Sequence, residues 1–235
     1  YLIFMRIENQ NIYILHTYPF KETSLLVEVF SENFGRLSLL AKGARRPRSL
    51  LRGYLQPFQL VQGTWSGQGE LKTLFGVEWV SKYLGLNNQG LVCGFYLNEL
   101  MMKLLPKADP NQSLFNYYHK CLVALSISKN HEKILRSFEL KLLQVLGYQV
   151  NLLTDENGEP ISDDKNYIFE AEYGASSPDK TQNGVKVKGK TLQDMSNENY
   201  KDHVTVNESK LLMRYLISFY TENHNLKSKE LFYKS

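Results

Sequence analysis

Residues 11–42 read NIYILHTYPFKETSLLVEVFSENFGRLSLLAK, and the period of this stretch sets the architecture. Ile12, Ile14 and His16 alternate with Tyr13, Leu15 and Thr17 until Tyr18, Pro19, Phe20, Lys21 and Glu22 break the run. Leu25, Val27 and Val29 then alternate with Leu26, Glu28 and Phe30. Ser31 to Gly35 supply a hairpin loop ending in a glycine that tolerates a left-handed backbone. A two-residue period rich in β-branched and aromatic side chains predicts strands, because successive side chains leave a strand on opposite faces. A third strand runs to Lys42. Beyond it, Leu55 to Trp65 and, after Ser66, Gly67, Gln68 and Gly69, Leu71 to Val80 predict two more. Five short strands suffice to close a small barrel, of OB type as readily as of SH3-like type, and closure hides the strand edges.

From Gly90 the period changes to about 3.6. Leu91, Phe95, Leu97 or Asn98, Met101, Leu104 and Leu105 share a face that Pro106 ends. Asp109, with Pro110 behind it, is the expected cap of a second helix carrying Leu114, Phe115, Tyr118, Cys121, Leu122 and Leu125. Asn130 is the expected cap of a third, which Gly147 stops, and residues 90–148 together predict a helix bundle. Residues 150–190 have turn composition with strand candidates at Tyr167–Glu170 and Val185–Val187, a small β excursion. Thr205 or Asn207 opens a final helix striped by Leu211, Leu212, Tyr215, Leu216, Phe219 and Tyr220. The expectation is an α+β chain, with a barrel domain over residues 1–82. A mostly helical domain follows over residues 83–235, interrupted by an irregular insert at about 150–190.

The segment Arg36–Arg52, RLSLLAKGARRPRSLLR, leaves the third strand and enters a turn punctuated by Gly43 and Pro47. It holds Arg36, Lys42, Arg45, Arg46, Arg48 and Arg52 and no carboxylate. Against a chain total of +4, these six charges leave the remainder near −2, so the basicity is local. Pro47 holds Arg46 extended, so the guanidinium groups fan from a stiff loop rather than a helix. Such a fork of donors suits phosphate oxygens, although a basic loop also arises simply as solvated surface.

Hydrophobic residues make up 43% and charged residues 22%, ordinary for a globular chain. No apolar run reaches membrane-span length and no secretory leader precedes the strands, so the chain reads as cytoplasmic. Tyr1, Leu2, Ile3 and Phe4 stand before a Met5 that reads as a native start. Cys93 and Cys121 sit inside apolar helical patterns and read as core filling. Two cysteines and five scattered histidines give no metal-ligand spacing, so no metal or other cofactor is expected. Gly67 to Thr73 places glycines before a Lys-Thr pair, but with no glycine directly before Lys72 it is a hairpin rather than a phosphate loop. Asp163 and Asp164 are a solvated pair, and His16, His119, His131, His203 and His224 have no nucleophile placed beside them. Without a catalytic constellation the chain reads as a binder and not an enzyme.

One set of residues resembles a known family. His16, Lys21 to Leu26 (KETSLL), Gly35-Arg36-Leu37, Ala41 to Arg45 (AKGAR), Leu55 to Phe58 (LQPF) and Gly69 to Leu74 (GELKTL) are similar, in this order, to RecO, the bacterial recombination mediator of the RecF pathway. The likeness continues through Tyr96 to Leu100, Arg136 to Leu140, Leu146-Gly147-Tyr148 and Lys229-Glu230-Leu231, nearly the whole chain. The resemblance implies an N-terminal five-stranded OB-fold and a mostly α-helical C-terminal domain. It further implies binding of single- and double-stranded DNA, annealing of complementary strands, and engagement of the C-terminal tail of the single-stranded DNA-binding protein. With RecR, such a protein helps load RecA in DNA repair, at the nucleoid. Some members hold zinc with four cysteines after the third helix. Asn151 to Asp164 contain none here, so the chain is similar to the zinc-free branch.

On that reading Lys42, Arg45, Arg46, Arg48 and Arg52 neutralise phosphates, and Arg36 and Lys72 extend the track. Tyr18, Phe20, Phe34, Tyr54 and Trp65 are candidates to stack on bases, although for any single one filling the barrel is the favoured reading. Arg136, Lys141, Lys227 and Lys229 are candidate rim cations for the acidic tail of the single-stranded DNA-binding protein. The competing reading is a protein-interaction adaptor that recruits that protein and RecR, with incidental DNA contact.

Overall fold

The five strands form as β1 (Ile7–Phe20), β2 (Ser24–Ser31), β3 (Gly35–Ala41), β4 (Leu60–Ser66) and β5 (Leu71–Trp79) in a computed structural model. It describes residues 6–80, 84–86, 88–148, 150–180, 183–221, 226 and 228. The strands close into a barrel in the order β1-β2-β3-β5-β4, with β4 returning to β1. All pairings are antiparallel except β3 with β5, where Ser38 to Ala41 run alongside Leu71 to Leu74. A parallel pair needs a crossover, which the basic loop and β4 supply. That order makes the barrel an OB-fold and decides between the two types left open by the periodicity.

Ile12, Ile14, Val27, Val29, Leu37, Leu39, Val61, Trp65 and Leu74 fill the interior. Each fully buried aliphatic side chain of this size contributes about 1.5–3 kcal/mol. The alternate residues Tyr13, Leu15 and Phe30 are buried too, on the outer face of β1 and β2. After the short α1 (Leu51–Tyr54), two longer helices, α2 (Asn88–Leu104) and α3 (Gln112–Ile127), account for this. The Tyr13 ring lies 5.3 Å from that of Phe115 and edge-on to Tyr118 at 5.0 Å, and Phe30 lies 5.6 Å from Phe115. The polar groups beneath are matched. Asn98 Nδ2 donates to the Leu15 carbonyl at 2.8 Å, and the Tyr118 hydroxyl donates to Asn98 Oδ1 at 2.5 Å. Tyr13 Oη shares a 2.5 Å hydrogen bond with His119 Nδ1. Burial raises both tyrosine pKa values, so both stay neutral phenols.

Gly35 sits at φ +66°, and a Cβ there would lie 2.2 Å from the Asp109 carbonyl oxygen. The chain after α2 crosses the start of β3 at this point, and the Ala108 amide donates to the Arg36 carbonyl at 2.9 Å. The cap of α3 is Asn111, whose Oδ1 accepts from the Leu114 amide at 2.8 Å, and not Asp109 as its proline neighbour suggested. Pro110 therefore precedes the cap instead of following it.

The chain falls into two compact units, Tyr1–Ile127 with Ser228–Ser235, and Ser128–Lys227. The sequence expectation divides the chain after residue 82, while compactness counts α2 and α3 with the barrel; the two divisions describe different properties. Residues 90–148 do not form one bundle, because α4 (His131–Val145) belongs to the second unit and packs with α6 (His203–Tyr220). Asn130 caps α4 as expected, accepting from the Lys133 amide at 3.2 Å. The β excursion is a three-stranded sheet in the order β7-β6-β8, from β6 (Asn166–Glu170), β7 (Gly174–Ser176) and β8 (Val185–Lys188). It leads into α5 (Gly189–Ser196), which periodicity missed. Phe169, Val187, Leu192, Met195, Leu212 and Leu216 form this unit's core. Asp202 caps α6 through the Val204 amide at 3.3 Å, so the helix opens before Thr205 and Asn207. Cys93 and Cys121 are both buried.

Candidate nucleic-acid interface

The basic loop is pinned at its apolar positions and open at its charged ones. Ala44 and Leu55 are buried in the barrel core and Leu51 packs against it, whereas Lys42, Arg45, Arg46 and Arg48 between β3 and α1, and Arg52 within α1, are exposed. Gly43 at φ +70° lets the chain reverse after Lys42. The Arg45 amide donates to the Thr23 carbonyl at 2.9 Å, the Arg46 amide to Gly43 at 3.1 Å, and the Ser49 amide to Arg46 at 3.0 Å. The Arg45 guanidinium adds to them, Nη1 donating to the Lys21 carbonyl at 3.0 Å. Among the described residues no carboxylate lies within 4.0 Å of Lys42, Arg45, Arg46, Arg48 or Arg52. Five like charges on a backbone tied down by hydrogen bonds repel one another, and an anion spanning them relieves that repulsion. Arg52 departs from the expected fan in standing on a helical turn.

Arg36 and Lys72 are placed differently. The Arg36 guanidinium is half-buried, with Nη1 3.3 Å from Glu28 Oε2 and Nε donating to the Leu105 carbonyl at 3.0 Å. Ser38 Oγ donates to the other oxygen of Glu28, so this β2 carboxylate is held by two neighbours on β3. The pair ties the barrel to the end of α2 and offers no free fork. Lys72 Nζ turns back to the Gly69 carbonyl at 2.9 Å in the β4–β5 hairpin.

The aromatic candidates divide by exposure. Trp65 is fully buried, and Phe34 packs edge-on against it at 5.6 Å, so both belong to the core. Phe20 is half-buried with Lys21 Nζ over its ring at 5.6 Å, and Tyr18 is exposed beside His16, ring centroids 4.4 Å apart. Tyr54 lies 4.8 Å from Trp79, a residue sequence reasoning passed over because the end of a predicted strand carries no sign of exposure. A separate cleft of about 320 Å³, lined by Arg6, Glu8, Asn9, Gln62, Thr64, Gly76, Val77 and Glu78, presents two carboxylates and suits a polyanion poorly.

Two of the four rim candidates, Arg136 and Lys141, fall among the described residues. Arg136 is buried on α4, its Nη2 donating to the wholly buried Glu139 at 2.7 Å, which makes it an internal ion pair. Lys141 Nζ sits 3.4 Å from Gln144 Oε1. Lys227 and Lys229 lie outside the described residues. Among the described residues no helix is long and apolar enough to cross a membrane, and no group of three or more His, Cys, Asp or Glu is arranged to hold a metal ion.

Comparison with known proteins addresses both halves of the chain. The family model described as Recombination protein O N terminal matches residues 5–83, and Recombination protein O C terminal matches residues 89–230. A DNA repair protein RecO of Dechloromonas aromatica is 43% identical over 97% of this chain and 96% of its own length. One of Nitrosospira multiformis is 43% identical over 96% of this chain and 95% of its own. One of an Azoarcus species is 42% identical over 96% and 95%.

Proposed function

The chain belongs to the RecO family, and from that premise we propose that it is a DNA-binding recombination mediator that anneals complementary strands without catalysing any covalent step. The observation that carries the reading is the set Lys42, Arg45, Arg46, Arg48 and Arg52, exposed on one pinned segment with no carboxylate within 4.0 Å among the described residues. Each cation that meets a phosphate releases condensed counterions, which gives affinity without sequence preference and with strong salt dependence. Annealing then needs no nucleophile or nucleotide. Base stacking contributes about 1.4 kcal/mol per step of duplex, so the driving force resides in the DNA. The protein has only to screen two polyanions brought to one surface.

In this reading residues 1–82 form the DNA-binding domain and residues 83–235 the partner-binding domain. The second engages the C-terminal tail of the single-stranded DNA-binding protein and, with RecR, helps load RecA onto covered strands. The work is DNA repair in the cytoplasm, at the nucleoid. What supports it is the naming of the relatives as DNA repair proteins together with the charge distribution. The test is a crosslinking map: a thiothymidine oligonucleotide irradiated on the protein gives adducts between residues 42 and 54. Adducts confined to other surfaces overturn the assignment of the loop.

A further inference from the structure

We infer that Tyr54 and Trp79 form a stacking site for an unpaired base and that this pair makes the barrel favour single strands over duplex. The inference rests on the DNA-binding reading above and adds to it a site of different chemistry. Trp79 is the last residue of β5, with 49% of its surface exposed, although Val61, its partner across β4, is fully buried. Tyr54 closes α1, which packs on β5, and the two rings lie 4.8 Å apart at 38°. Leu50 and Val80, which flank α1 and β5, are also exposed, at 83% and 43%. A large apolar ring left half in water contributes little to folding and keeps a face for a ligand.

The ligand's chemistry follows from what the pair adjoins. Arg52 stands two residues before Tyr54 on the same helical turn, and Arg48, Arg46, Arg45 and Lys42 precede it, all exposed. A surface that offers cations and then an aromatic platform along one short segment matches a polymer that alternates phosphate with an accessible π-face. An unpaired strand is such a polymer. In a duplex the bases cover one another and only the phosphates remain, so the cations grip both forms while the rings meet only one.

The chain has two tryptophans, and Trp65 is fully buried in the barrel, so a change of indole emission on adding DNA reports Trp79. Three probes are titrated at low salt: an oligothymidylate of about 15 nucleotides, near the upper end of a single OB site, an abasic strand of the same length, and a duplex. The expected result is quenching by oligothymidylate alone. Trp79→Ala weakens oligothymidylate binding by roughly 5- to 150-fold, leaves duplex binding and the salt slope unchanged, and Trp79→Phe restores part of the loss. Retained duplex binding shows that the variant is folded. Oligothymidylate binding with emission unmoved, and with Trp79→Ala equal to the parent, overturns the stacking site and leaves the DNA-binding reading standing. Emission that an acidic peptide shifts and oligothymidylate does not also overturns it, assigning the rings to a protein partner. Failure of all three nucleic acids to bind the parent protein removes both readings together.

Discussion

Replacing Arg45, Arg46 and Arg48 by Gln removes three of the five exposed cations of the loop while leaving Ala44, Leu51 and Leu55 seated in the barrel. Among the described residues the side-chain hydrogen bond lost on the protein side is from Arg45 Nη1 to the Lys21 carbonyl, at an exposed position. The loss costs about 1 kcal/mol or less, so the fold persists and circular dichroism and the melting temperature stay near those of the parent. With five phosphates neutralised on a single strand, the logarithm of affinity falls with the logarithm of salt at a slope of about −3.5, and with two at about −1.4. Between 50 and 200 mM salt the parent then loses about 130-fold in affinity and the variant about 7-fold. Fluorescence anisotropy of a labelled oligonucleotide across a salt series measures both slopes. Equal slopes and equal low-salt affinities refute the assignment, because they place the phosphate contacts elsewhere.

Three further outcomes follow from the same framework. Burial lowers the His16 pKa below its ordinary 6.5, against a smaller opposing pull from Glu28. The neutral ring is thus favoured in the folded state, and its stabilisation is complete above pH 6.5 and lost as pH falls through the folded value. Urea midpoints should drop on acidification through this window, and His16→Gln should flatten that part of the profile. Asn98→Leu removes the buried hydrogen bonds to the Leu15 carbonyl and from the Tyr118 hydroxyl, for a loss of about 0.5–1.5 kcal/mol per bond, read by chemical denaturation. Arg36→Ala strands the buried Glu28 carboxylate and so lowers the unfolding midpoint, while the salt slope of DNA binding stays that of the parent; a reduced slope would return Arg36 to the phosphate track.

The barrel was legible because a strand with one face inward writes its period into the sequence, as Val27, Val29, Leu37 and Leu39 do. Tyr13, Leu15 and Phe30 occupy the alternate face of the pattern but are buried as well, since the covering helices begin some 75 residues after Tyr13, at Asn88, beyond the reach of any local pattern. Helix starts at Asp109, Thr205 and Asn207 were misplaced by a few residues because several capping side chains stand together there, and only amide geometry picks Asn111 and Asp202. Helix α5 opens on Gly189, where a Cβ would lie 1.9 Å from the Ser162 carbonyl oxygen, so tight packing and not propensity starts it. The loop cations could be read as a cluster because they are contiguous. Arg36 and Arg136 looked equivalent to them until their carboxylate partners were placed. The signals were present: Arg136 and Glu139 are spaced i, i+3 on a helix, and Arg36 lies diagonally across a hairpin from Glu28. Trp79 had no such signal, since exposure at a barrel end is a tertiary property.

The central claim, that one cationic loop gathers two strands and leaves pairing to the DNA, meets its most direct test in annealing itself. Complementary oligonucleotides carrying a donor and an acceptor dye are mixed at low salt without nucleotide or metal, with the parent protein or with Arg45, Arg46 and Arg48 replaced by Glu. The account predicts faster pairing with the parent and a rate no greater than that of free strands with the variant. Equal acceleration by both proteins would contradict it.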